Sequence, residues 1–228
     1  SAPTGEGKLY EVDLRLRPFG NNGPIAVHLN SYLNYLKNSA WTWEHMALTR
    51  ARPIYGMSQF QSQIRTGIFN ILRQNRDRDK LFADIKNMRH RVAQEHKIQS
   101  NWDINHRNGG LIDIEFVTQA LQLLHANSTP DVLSTSTNEA LKNLHCAKFL
   151  EDDDAFLYLS SLNLWQSLQS IIRLTGLERL DDDLPPNGRT NALCRAAALE
   201  TFGQLKTHMN KTAEEVRKMY LKILTPAN

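Results

Sequence analysis

Apolar residues change period early in the chain. Between residues 8 and 17, Tyr10, Val12, Leu14 and Leu16 alternate with Glu11, Asp13, Arg15 and Arg17, the two-residue period of a half-buried strand. Pro18, Gly20, Asn21, Asn22, Gly23 and Pro24 then break the chain into a turn or loop. Beyond that point the period is helical. Leu29, Tyr32, Leu33 and Leu36 fall on one face, and a second helix runs from about Ala40 to Arg52, stopping before Pro53. Phe60, Ile64, Ile68 and Ile71 mark a third; Leu81, Ile85, Met88 and Val92 mark a fourth.

Residues 98–110 read as a polar connection closed by Gly109-Gly110, followed by a helix with Ile114, Val117, Leu121 and Leu124 in one stripe. Ser136 and Glu139 have the spacing of a capping box for a sixth helix, carrying Ala140, Leu141 and Leu144. Residues 154–175 are apolar enough to predict a largely buried helix ended by Gly176. Leu180 to Gly188 is a loop, and two more helices follow, the last holding Met209, Val216, Tyr220 and Ile223. The class is therefore mainly α, a helical bundle after one strand. A lone strand leaves backbone groups unpaired, so its partner strands are expected in a preceding part of a longer protein.

The chain has 228 residues, 41% of them hydrophobic, enough for a sizeable core. No run of 18 or more apolar residues occurs, so no membrane span is expected. The first residues lack the pattern of a secretory signal. Cys146 and Cys194 read as reduced core thiols of a cytoplasmic protein. The eight histidines form no pairing of zinc-ligand type. A net charge of +3 favours an anionic ligand, but no Lys/Arg block alternates with aromatics as a nucleic-acid groove requires.

Alternation places Glu11, Asp13, Arg15 and Arg17 on one strand face. A carboxylate and two guanidiniums there suit Mg²⁺ and a polyphosphate; a solvated face with local ion pairs is the other reading. Glu44, Arg50 and Arg52 share the second helix with Trp41 and Trp43, where core packing and dipole-complementing arginines are the simpler account. Asp113 and Glu115 open the fifth helix, and Glu115, between Ile114 and Phe116, needs a partner. The Gly109-Gly110 pair either offers N–H groups to a phosphate or makes a tight turn.

Three segments in series carry a more specific signal: VDLRLRPFGNNGP (12–24), AWTWEHMALTRAR (40–52) and GGLIDIEF (109–116). In order and spacing they resemble the family of the bifunctional glutamine synthetase adenylyltransferase/adenylyl-removing enzyme, over most of the chain. The AWTWEH and ALTRAR segments are similar to its C-terminal, AMP-attaching half. The resemblance implies that residues 1–56 are the trailing end of a nucleotidyltransferase α/β fold and 57–228 a helical C-terminal domain. It implies transfer of AMP from ATP to a tyrosine of glutamine synthetase with Mg²⁺. Asp13 would be a catalytic metal ligand followed by Arg15 and Arg17, while Glu44, Arg50, Arg52 and Glu115 face the cofactor. The family's Gly-Ser…Asp-x-Asp motif is absent from this chain. Two metal aspartates are therefore expected upstream of Ser1, and the fragment is expected to be inactive alone. The alternative is a helical regulatory or docking module that binds glutamine synthetase or a PII-type signal protein.

Overall fold

A computed structural model describes residues 17–98, 100–175 and 188–225. The predicted strand falls outside the described residues except at Arg17, as do Gly176 and the 180–187 part of the acidic loop. Among the described residues there is no strand. The helices are α1 (Leu29–Asn38), α2 (Thr42–Leu48), α3 (Ser58–Leu72), α4 (Arg78–Glu95), α5 (Leu111–His125), α6 (Thr137–Cys146), α7 (Asp152–Leu174), α8 (Gly188–Ala196) and α9 (Phe202–Leu224). Short 3-10 turns occupy Gly20–Asn22 and Pro130–Val132. No described helix is long and apolar enough to cross a membrane.

α5 is the centre of the bundle and packs against α2, α4, α6, α7 and α9. Its sequence is apolar on nearly every side: Ile114, Val117, Ala120 and Leu123 have no exposed surface. Each large aliphatic side chain removed from water in this way contributes about 1.5–3 kcal/mol before conformational costs. α7 contributes Tyr158, Leu162, Trp165 and Leu168, and α9 contributes Leu205, Val216, Tyr220 and Leu224, all at the core.

Helix ends follow local chemistry. Asp77 accepts the Lys80 N–H at the start of α4, and Thr201 and Gln204 bond each other's backbone at the start of α9. Such caps contribute about 1 kcal/mol each. At α6 only half of the predicted box forms. Ser136 Oγ accepts the Glu139 N–H, while the Glu139 carboxylate turns to Lys142.

Four readings of the pattern change in three dimensions. α2 ends at Leu48 rather than near Arg52, because the Thr49 and Arg50 N–H groups bond back three residues, to Met46 and Ala47, tightening the last turn. The buried face of α4 is Leu81, Phe82, Ile85 and Arg89, with Met88 and Val92 only half-buried. α7 buries one stripe and leaves Phe156 and Leu174 exposed. Cys194 is a core thiol, but Cys146 is exposed at the end of α6.

Candidate functional site

The α2 turn aims Arg50 across the bundle at Glu115 on α5. Arg50 Nη1 lies 2.8 Å from Glu115 Oε1, which supplies the partner that Glu115 requires. Beneath the pair is an open cleft of about 500 Å³ whose walls include Trp43, Met46, Met88 and Phe116, with Gln119 beside them. The cleft is thus an apolar floor with a cation at its rim. Ala51 lines it and also a second cleft, onto which Arg52 opens.

Glu44 is turned inward. Its carboxylate accepts from the Tyr35 hydroxyl at 2.9 and 3.1 Å and from the Trp41 N–H at 2.8 Å, so it closes the first turn of α2 and ties it to α1. Burial, followed by the contact with Glu44, raises the Tyr35 phenol above its ordinary pKa. Arg17 is half-buried, with Nε donating to the Gly20 carbonyl at 2.9 Å. Asp13 and Arg15 lie outside the described residues.

The neighbouring residue His45 is also buried. Its Nε2 is 2.7 Å from the Leu36 carbonyl, and its Nδ1 is 3.1 Å from Arg76 Nη1. This geometry fits the neutral ring, with Nε2–H donating and Nδ1 accepting. Burial lowers its pKa, and the Arg76 charge adds to the effect.

A polar centre sits deeper, around Asp113, whose partners the sequence pattern did not mark. Asp113 has no exposed surface. Its Oδ1 accepts from Arg89 Nε, while Oδ2 accepts from the Gly109 N–H at 2.7 Å and from Arg217 at 3.2 Å. Arg89 Nη2 also donates to the His106 carbonyl at 2.9 Å. Nearby Tyr220 is pushed up to about 12 by burial and by the Asp113 charge. The signal in the sequence was Arg89 itself, four residues after Ile85 on the face that packs inward, since a cation there requires a carboxylate.

The same centre resolves the two readings of the glycine pair. Gly109 gives its N–H to Asp113 and its carbonyl to Trp165, and the Gly110 N–H bonds Arg107. The pair is a tight turn, with its N–H groups used internally. At φ +74°, a Cβ on Gly109 would lie 1.8 Å from the Ala213 carbonyl oxygen, so α9 approaches α5 over a glycine.

Comparison with known proteins now bears on this geometry. Residues 1–66 match the family model described as glutamate-ammonia ligase adenylyltransferase. The chain is also 37% identical, over 97% of its length, to the bifunctional glutamine synthetase adenylyltransferase/adenylyl-removing enzyme of Bradyrhizobium diazoefficiens. The chain belongs to the glutamate-ammonia ligase adenylyltransferase family. Its residues 79–224, more than half of its length, also match the family model described as GlnD PII-uridylyltransferase, and that part belongs to this second family as well.

Other similar adenylyltransferase/adenylyl-removing enzymes come from Xanthobacter autotrophicus, 37% identical over 98% of this chain, and Brucella suis, 38% identical over 98%. The chain spans 22–23% of the length of these three relatives. The segment matched by the adenylyltransferase family model holds Asp13, Glu44, Arg50 and Arg52, whereas Glu115 lies in the PII-uridylyltransferase match. The Arg50–Glu115 pair therefore bridges the two matched regions.

Proposed function

We propose that this chain is part of an enzyme that transfers AMP from ATP to a tyrosine hydroxyl of glutamine synthetase, from the AMP-attaching half of that enzyme. The observation that carries the reading is the Arg50–Glu115 pair, which brings two of the three family-like segments together although they are 65 residues apart. Asp13 is proposed as a metal ligand, with Arg15 and Arg17 following it at alternate positions of the sequence. Arg50, at the rim of the apolar cleft and paired with Glu115, is proposed to face the cofactor, Glu44 holds α2 in position for it, and Arg52 lines the other cleft.

The donor chemistry suits the expected group, since a carboxylate oxygen is the ligand type that Mg²⁺ takes. When bound, Mg²⁺ with ATP would supply charge neutralisation at the phosphate undergoing transfer. Among the described residues no three potential ligands come together. No step of the transfer is assigned to them. Asp13 acts with further carboxylates supplied outside this chain, in a cytoplasmic enzyme.

The test is incubation of the pure chain with labelled ATP, Mg²⁺ and glutamine synthetase. Glutamine synthetase should stay unlabelled with the chain alone and become labelled with the full-length enzyme. Metal-dependent labelling by the chain alone would overturn the division of the metal site, and a full-length enzyme unable to label would overturn the function.

A further inference from the structure

Between His45 and Arg76 the chain contains no Asp or Glu, yet it holds Arg50, Arg52, Arg65, Arg73 and Arg76. Four of these have a side-chain partner, Arg65 Nη2 donating to the neutral Gln61 Oε1 at 3.0 Å. Arg50 pairs with Glu115, Arg73 lies over the Phe69 ring at 5.1 Å, and Arg76 meets His45. Arg52 and Arg65 are exposed and have no acidic partner among the described residues. Both line one open cleft of about 320 Å³ between α3 and the segment before α6.

No lining residue of this cleft is acidic. Its lining is largely apolar, with Ile68, Phe69, Leu72 and Leu133, and Ser134 and Thr135 add hydroxyls. The apolar character continues past its rim at Pro53: Ile54, Tyr55 and Met57 are 85%, 92% and 81% exposed. Large apolar side chains left in water beside unneutralised cations mark an interaction surface rather than a solvated face. Charge complementarity then sets the partner's sign.

We propose that the Arg52–Arg65 cleft and the adjoining Ile54–Met57 segment dock an acidic peptide segment of a partner protein, its carboxylates on the two guanidiniums and its apolar side chains on the apolar lining. The apolar surface beyond the rim favours a peptide over a small anion, which would use the arginines alone. Arg guanidiniums suit carboxylates because their planar fork can donate two parallel hydrogen bonds. This cleft shares only Ala51 with the one at Arg50, and its docking is read without any turnover of ATP, so a failed adenylylation assay leaves it standing.

Fluorescence anisotropy on the full 228-residue chain tests it. The probe is a fluorescein-labelled peptide of alternating Asp and Leu, compared with Lys/Leu and Asp/Ser counterparts. The Asp/Leu peptide should bind best and weaken with added salt. Arg52→Glu/Arg65→Glu should reduce its affinity by about tenfold or more. Ser134→Asp, which leaves both arginines in place, should also weaken it, and circular dichroism should show all variants folded. Absence of binding, unchanged binding by the double variant, or equal binding of Asp/Ser would overturn the proposal. Displacement of the peptide by inorganic phosphate or MgATP would overturn it too, in favour of a small-anion site.

Discussion

Arg89 and Asp113 form an ion pair in the interior, with side chains 4% and 0% exposed. The pair joins α4 to the start of α5, and through Arg217 it reaches α9. An uncompensated charge at such a site is expensive, so removing one partner costs about 3–5 kcal/mol. Asp113→Ala should lower the unfolding free energy in a denaturant titration by that much, since it also strips the Gly109 N–H of its acceptor. A double-mutant cycle with Arg89→Met should give a large coupling energy, with the pair of substitutions far less harmful than their sum. Additive effects would mean the two charges do not depend on each other.

Glycine at position 109 is required by both backbone and space. Gly109→Ala should be among the most destabilising single substitutions in the chain, because φ is +74° and the new Cβ would overlap the Ala213 carbonyl. Gly203→Ala is the contrasting case: it lies in the first turn of α9, and its Cβ would have nothing within 4 Å. That change should be neutral or stabilising by up to about 1 kcal/mol. Thermal melts of both variants check the contrast.

His45 makes stability fall with acid. Its pKa is lowered in the folded chain, so its contribution is complete above the unfolded value of about 6.5 and is lost as pH falls through the lower folded value. Melting temperature should therefore drop between about pH 7 and pH 5. His45→Gln, which does not titrate, should flatten that part of the profile. An identical profile for the variant would place the acid sensitivity elsewhere.

Asp13→Asn, made in the full-length enzyme, tests the proposed metal ligand. The substitution keeps the side-chain shape and removes its charge. The expected result is a fall in kcat of about 10²-fold or more with a smaller change in apparent ATP affinity. Glu11→Gln, two positions earlier in the sequence, is the control, and it should remain close to wild type. Equal damage from both would reduce Asp13 to one member of a charged face.

Much of the helical architecture was legible because burial imposes a period. Leu29–Leu36, Leu81–Ile85 and Ile114–Leu121 each repeat apolar residues once per turn, and a helix must place such a stripe against something. Helix ends were legible where one side chain makes the cap, as at Ser136, and less so at α2. There the stop was expected near Pro53, but backbone turns already end the helix at Leu48.

By itself, then, the sequence determined the mainly helical class, the approximate place of each helix and, through three short segments, the family. All of these rest on local spacing or on residue identity. Tertiary structure alone decided which polar residues meet. Arg50 finds Glu115 across 65 residues, and Arg217 reaches Asp113 across 104. It also decided that Asp113 is the buried carboxylate while Glu115 stays partly exposed, although the two are two positions apart on one helix. Helical period fixes only their relative direction, about 200° apart around the axis. Which direction faces the core depends on where α4 and α9 pack, and that is a property of the whole bundle.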